Sequence, residues 1–150
     1  MAFEIERKFL VSDNTFVSLA SSRHHIIQAY LSTEPARTVR IRICDDKAWI
    51  TVKGKNQGAT RHEWEYEIPV ADASEMIDLC TTGVLAKWRY IVPFAGYKWE
   101  VDVYENKLAP LIVAEVELEN ADADVVLPPF VSKEVTGDKR YYNSALAERL

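Results

Sequence analysis

Apolar and polar positions alternate with a period of two along most of the chain. Phe3, Ile5 and Phe9 fall on one face and Glu4, Glu6 and Lys8 on the other. Val39, Ile41 and Ile43 are set against Arg40 and Arg42, Ile50 and Val52 against Thr51 and Lys53, and Trp64, Tyr66 and Ile68 against Arg61, Glu63, Glu65 and Glu67. The pattern resumes with Trp88, Tyr90 and Val92 against Lys87 and Arg89, and with Trp99, Val101 and Val103 against Lys98, Glu100 and Asp102. It ends with Ile112, Val116 and Leu118 against Glu115, Glu117 and Glu119. Such alternation among β-branched and aromatic residues is the pattern of half-buried antiparallel strands. With the apolar run from Ile26 to Ser32 it predicts about eight strands, a number at which a sheet can close and lose its edges.

The breaks are turn-like. Asp45-Asp46 and Ala95-Gly96 suit hairpins, and Lys55 to Thr60 a looser loop. Residues 71–80 read as a helix capped by Asp72 or Ser74, and residues 138–150 as a C-terminal helix capped near Thr136 or Asp138. The short stretch 121–126 is stopped by Pro128-Pro129. The expected fold is mainly β, of α+β type: a closed eight-stranded antiparallel β-barrel with a few short helices outside, and residues 1–150 as a single domain.

The polar face changes this picture. On any single strand, a charged face turned to water is the ordinary explanation. Taken together, the polar positions are nearly all ionised, and their signs are sorted by strand. Arg40 and Arg42 share one strand, Lys87 and Arg89 another, Glu115 and Glu117 a third. Like charges at such spacing repel, so the sorting makes sense if a densely anionic ligand and its cations lie between the strands. Arginine offers planar bidentate contacts to phosphate, and clustered carboxylates suit a hard divalent cation such as Mg²⁺.

Composition narrows the classes. The 150 residues are 48% hydrophobic and 27% charged, with net charge −5 from 18 basic and 23 acidic side chains. That balance lacks the basic footprint of a general nucleic-acid binder, while leaving room for a local basic pocket. No apolar run is long enough to span a bilayer, and charges at Glu4, Glu6, Arg7 and Lys8 interrupt the start of the chain, so neither membrane segment nor signal peptide is expected. Cys44 and Cys80 are far apart and lie in no metal-ligand spacing; two reduced thiols in a cytoplasmic protein are expected.

The first strand carries a Glu-x-Glu-x-Lys motif, Glu4-Ile5-Glu6-Arg7-Lys8. With "VRIR" at Val39–Arg42, "TVKG" at Thr51–Gly54, "RHEWEYEI" at Arg61–Ile68, "KWRY" at Lys87–Tyr90 and "EVDVYENKLAPLIVAEVELE" at Glu100–Glu119, the chain resembles the CYTH superfamily, the triphosphate tunnel metalloenzymes. "QAYL" at Gln28–Leu31 and "EVTGDKRYYNSALA" at Glu134–Ala147 extend the likeness over nearly the whole length, closest to compact bacterial members.

The resemblance implies a tunnel that takes a small-molecule triphosphate with Mg²⁺ or Mn²⁺. It implies metal-site carboxylates at Glu4, Glu6, Glu63, Glu65, Asp102, Glu115 and Glu117, and phosphate contacts from Lys8, Arg40, Arg42, Lys53, Lys87, Arg89 and Arg140, the last near the tunnel mouth. Tyr30 matches a tyrosine that would cooperate with Lys8. Glu4 or Glu117 could take the proton of an attacking water; Lys8 with Tyr30 is the competing base, a lysine among cations being able to lose its proton more easily. Glu67, Glu100 and Glu119 share the parity of these residues but can lie beyond the tunnel. Arg7, Lys98 and Lys139 read as surface charges, and the four tryptophans as core or wall.

Hydrolysis of inorganic tripolyphosphate is the first choice of activity. A class IV adenylate cyclase, or a nucleoside or thiamine triphosphatase, is the alternative. A polyphosphate-binding module and a structural barrel that docks a partner are the non-enzymatic readings. No nucleic-acid or membrane partner is expected, and a homodimer is left open.

Overall fold

The computed structural model describes residues 3–150. Its strands are β1 (Phe3–Val11), β2 (Ser22–Ser32), β3 (Arg37–Cys44), β4 (Lys47–Gly54), β5 (Thr60–Ile68), β6 (Leu85–Phe94), β7 (Tyr97–Tyr104), β8 (Ile112–Glu117) and β9 (Val131–Glu134). Its short helices are α1 (Phe16–Leu19), α2 (Val70–Ile77) and α3 (Asn143–Glu148). Neighbouring strands pair antiparallel in the order β5-β4-β3-β2-β6-β7-β8-β1, and β1 pairs back onto β5, so eight strands close into a barrel. One edge of β1 is taken by β8 from Glu6 to Leu10. The other edge is divided. Phe3, Glu4 and Ile5 pair with His62, Arg61 and Thr60 of β5, while Phe9 and Val11 pair with Glu134 and Val131 of β9.

The apolar face of this barrel is its outside. Phe9, Trp99, Val101, Ala114 and Val116 are buried beneath Phe16 of α1 and Phe130. Ile41 and Ala48 are buried beneath Ala73 of α2. Leu85, Tyr104 and Val113 pack against Leu146 and Ala147, so that α3 plugs one end of the barrel. Part of the β1–β5 wall stays uncovered, with Phe3, Trp64 and Tyr66 exposed. Because the greasy faces find partners outside, the ionised faces are left to point inward.

Both expected hairpin turns form. Cys44 pairs with Lys47 around Asp45-Asp46, and Phe94 with Tyr97 around Ala95-Gly96. The second of these takes positive φ at both positions (48° and 84°), as a turn matched to strand twist requires. Three expectations need correction. The helix expected over 71–80 runs Val70–Ile77. The single C-terminal helix expected over 138–150 is broken into a 3₁₀ turn at Lys139–Tyr141 and α3, with Tyr142 extended between them (φ −65°, ψ 136°). The Tyr142 hydroxyl is held by Asn56 Nδ2 at 2.7 Å, a tertiary contact that overrides local helical preference. Finally, α1 and β9 were not expected; β9 exists because the far half of β1 offers it a free edge.

Candidate active site

The barrel encloses a cavity of about 290 Å³ whose walls include Glu4, Glu6 and Lys8 of β1, Arg40 and Arg42 of β3, Lys53 of β4, Glu63 and Glu65 of β5, Arg89 of β6, and Glu115 and Glu117 of β8. That volume lies at the small end of ligand pockets, which run from about 300 to 1,000 Å³. Period-two alternation places these residues inward, and register decides who faces whom. Lys8 stands opposite Glu115, Glu6 opposite Glu117, Lys53 opposite Glu63, and Tyr30 opposite Arg40.

Most of the cations meet a carboxylate. Lys53 Nζ donates to both oxygens of Glu4 at 2.9 and 3.2 Å. Arg40 donates to Glu65 at 3.3 Å and to the Thr51 hydroxyl at 3.1 Å, and its Nε is buried with no hydrogen-bond partner. Lys8 lies 3.6 Å from Glu115 and donates to the Tyr141 carbonyl at 3.1 Å. Arg42 is different. Its Nε donates to Gln28 Oε1 at 2.9 Å, and among the described residues it has no carboxylate partner. Burial and the neighbouring cations Arg40 and Arg89 push its pKa down to about 10. A half-buried guanidinium among cations is a receptor for an anion.

The acidic side shows the converse strain. Burial opposes ionisation of Glu4, but Lys53 and a hydrogen bond from Glu63 outweigh it and hold Glu4 at about 2. Burial and that same hydrogen bond raise Glu63 to about 7. Glu6 is raised well above the ordinary carboxylate range by burial, Glu115 and Glu4. Glu115 is lowered against its burial by Lys8, Arg89 and a hydrogen bond from Glu6. Glu117 is raised by burial, Glu4 and Glu100. In each of two carboxyl pairs, Glu4–Glu63 and Glu6–Glu115, one member is therefore pushed toward the neutral form and the other toward the charged form. Convergent carboxylate oxygens of this kind fit a hard divalent cation.

The structure divides the residues singled out from the sequence. Glu4, Glu6, Lys8, Tyr30, Arg40, Arg42, Lys53, Glu63, Glu65, Arg89, Glu115 and Glu117 all line the cavity. Asp102 and Lys87 have the right parity but lie sealed behind the wall. Asp102 accepts from the fork of Arg89 at 2.7 and 2.9 Å and from Lys87 Nζ at 2.7 Å, so in this structure it is engaged by cations and does not face the cavity. Arg140 is not a tunnel residue: it turns outward, 71% exposed, and pairs with Asp138 at 2.7 Å. The proton-poor lysine is also not the one expected. Lys8 sits among carboxylates, and Glu115 and Glu6 raise its pKa against burial. Lys87 is the lysine brought down, to about 7, by burial, with Asp102 opposing and Arg89 and Arg42 reinforcing the fall.

Other lining residues received no role in the sequence reading. Arg61 has the inward parity and donates to Thr38 and the Gly54 carbonyl. Glu100, read as able to lie beyond the tunnel, lines it. Asn56, Thr136, Tyr142 and Asn143 reach the cavity from loops, where no periodicity marks them.

A CYTH domain model matches residues 2–145. The chain is 42% identical over 149 residues to an inorganic triphosphatase of Acetivibrio thermocellus, covering 99% of this chain and 95% of that protein. It is 37% identical over 150 residues to an inorganic triphosphatase of Nitrosomonas europaea, with 96% of each covered. The solved structure of the inorganic triphosphatase NE1496 superposes with a TM-score of 0.68 at 31% identity, covering 100% of this chain and 97% of that one.

Proposed function

The chain belongs to the CYTH domain family, and from that premise we propose that its tunnel binds inorganic tripolyphosphate and hydrolyses it to phosphate and pyrophosphate with a divalent cation, Mg²⁺ or Mn²⁺. The observation that carries this reading is Arg42, a half-buried cation with no carboxylate partner among the described residues, lining the same cavity as the convergent carboxylates Glu4, Glu6, Glu115 and Glu117. The similar proteins of A. thermocellus and N. europaea are inorganic triphosphatases, and the cavity is lined mainly by charged side chains suited to phosphate and its cation.

In this reading Arg42, Arg40, Lys53, Arg89 and Lys8 hold the phosphate oxygens in one register, with Arg40 Nε free to donate. Asp102 and Lys87 act from behind the wall, the first by fixing the Arg89 fork. Glu4, Glu6, Glu115 and Glu117 would hold the divalent cation, with Glu63 and Glu65 lining the cavity beside them. The cation, when bound, offsets charge on the phosphate oxygens and polarises water for in-line attack. The water oxygen bonds to the terminal phosphorus as the bond to the bridging oxygen breaks, and Glu4 or Glu117 accepts the water's proton. Lys8, kept protonated by its carboxylate neighbours, serves as a cation; Tyr30, opposite Arg40, lines the same wall. We place the protein in the cytoplasm, where its free thiols Cys44 and Cys80 stay reduced. No helix among the described residues is long and apolar enough to cross a membrane.

The test is incubation with tripolyphosphate, ATP and thiamine triphosphate in Mg²⁺ or Mn²⁺, assaying phosphate and cyclic AMP. Phosphate from tripolyphosphate in clear preference is expected; cyclic AMP from ATP would reverse the reading. Glu4→Gln separates an enzyme from a polyphosphate-binding module. It should lower kcat by about a hundredfold or more while tripolyphosphate still binds, whereas unaltered turnover would remove Glu4 from the mechanism.

A further inference from the structure

His24, Cys44 and Asp45 converge outside the set of residues that lines the tunnel, with an imidazole nitrogen, a thiol sulfur and a carboxylate oxygen all within 4.8 Å of one another. They come from two strands and a turn, so no sequence spacing announces them. Cys44 pairs with Ile26 across the β2–β3 ladder, and His24 lies two residues along β2 on the same face, which makes the two side chains diagonal neighbours. Asp45 opens the β3–β4 turn with φ 54° and exchanges backbone contacts with β2: its N–H donates to the His25 carbonyl at 3.0 Å.

We propose that His24, Cys44 and Asp45 form a second cation site, one that takes a borderline-soft divalent transition ion such as Zn²⁺ and not Mg²⁺. The donor set is one nitrogen, one sulfur and one oxygen, which Zn²⁺ accepts in tetrahedral geometry with water as the fourth ligand. Mg²⁺ asks for oxygen alone. Two of the three ligands, Asp45 and His24, are also oriented by a second contact, as metal ligands characteristically are. Asp45 Oδ1 accepts the His25 backbone N–H at 3.1 Å, which leaves Oδ2 turned toward His24 Nδ1, 2.7 Å away. The other ring nitrogen, His24 Nε2, lies 3.3 Å from the Ser22 hydroxyl, a partner for the proton it carries when Nδ1 binds metal. Arg89 stands opposite His24, but its charge is already engaged by Asp102 and Glu100.

Burial and Asp45 push the Cys44 thiol up, so the free site carries an S–H. Binding breaks that S–H bond, sends the proton to solvent and forms a sulfur–metal bond, with no change of oxidation state. The site goes beyond the triphosphatase reading and does not depend on it.

The test uses metal-stripped full-length protein titrated with Co²⁺ in a large excess of Mg²⁺, which occupies the oxygen ligands of the tunnel. Stoichiometric Co²⁺ should produce a near-ultraviolet thiolate-to-metal charge-transfer band. Cys44→Ala should abolish the band, and His24→Ala should weaken Co²⁺ binding more than about tenfold. A second arm needs no variant: Zn²⁺ should slow alkylation of Cys44 while alkylation of Cys80, packed near α2, proceeds unchanged. Co²⁺ uptake without the band, a band that survives Cys44→Ala, or alkylation of Cys44 indifferent to Zn²⁺ would overturn the proposal. None of these readouts moves if the tunnel proves to hydrolyse something else.

Discussion

Replacing Arg42 with glutamine should make the protein more stable and a worse enzyme. Arg42 Nε donates to Gln28 Oε1 at 2.9 Å, and the amide nitrogen of a glutamine occupies the place of that Nε along the side chain. Arg42→Gln therefore keeps the hydrogen bond and deletes the charge. The fall of the guanidinium pKa to about 10, from burial and the cations Arg40 and Arg89, corresponds to roughly 3 kcal/mol against the charged form in the folded state. The folded pKa is depressed below the unfolded one, so the penalty is full at any pH well below 10 and does not vary between pH 6 and 8. Local relaxation reduces the gain to about 1–3 kcal/mol, which for a chain of this length raises Tm by several degrees, about 2–4 °C per kcal/mol. Binding moves the other way. Loss of a charge-assisted contact to phosphate costs about 1.5–3 kcal/mol, or about 10–150-fold in affinity for tripolyphosphate. Thermal melts without ligand and a binding isotherm check the two signs together. An Arg42→Gln variant that melts lower than the parent, or binds tripolyphosphate as tightly, would refute the idea that this cation is held in strain for an anion.

Three further outcomes follow from the same geometry. Asp102→Ala strands Lys87 and Arg89 in the wall without their shared carboxylate and should cost about 3–5 kcal/mol, read as a lowered denaturation midpoint; an unchanged midpoint would mean the pair is not sealed. Arg140→Ala should leave kcat/KM for tripolyphosphate within about twofold and stability within about 0.5 kcal/mol, because Arg140 faces solvent. A large rise in KM would return it to the site. Glu63, raised from 4.5 to about 7 in the folded chain, binds its proton more tightly folded than unfolded. Its contribution is therefore fully present below pH 4.5 and is lost as pH rises to about 7. Melts of the metal-free protein across that window should show this slope, Glu63→Gln should flatten it, and a slope unchanged in the variant would assign it elsewhere.

How much of this was legible in the sequence depended on periodicity. Strict alternation of ionised with β-branched residues marked seven of the strands; parity put Glu6, Arg42, Lys53 and Glu115 on the charged face, and the family resemblance made that face a cavity. Parity names a face but not a depth, which is why Lys87 and Asp102 were grouped with the cavity although they lie sealed behind Arg89. It also said nothing of the order of neighbours around the barrel. Lys8 was considered as a lysine among cations, whereas β8 sets it against Glu115. Off the strands there was no period to read. Arg140 was placed by resemblance and turns away, while Tyr142 and Asn56 reach the cavity by a contact between residues 86 apart in sequence. The short α1 and β9 have too few residues to show a pattern, and β9 is strand only because β1 has an edge to share.

That shared edge has a consequence for how the molecule comes into being. Strand β1 finds its neighbours at residues 60–62, 113–117 and 131–134, all made after it. Glu4 can therefore meet Lys53 and β5 before half of the polypeptide exists, whereas Glu6 waits for Glu117 of β8. Nascent fragments that stop short of Glu115 carry the opening motif yet possess no cage, so competence is acquired in one late step. Pairing over such sequence distances carries a loop-closure cost that the local hairpins escape, and topologies dominated by it fold more slowly than those built from local contacts.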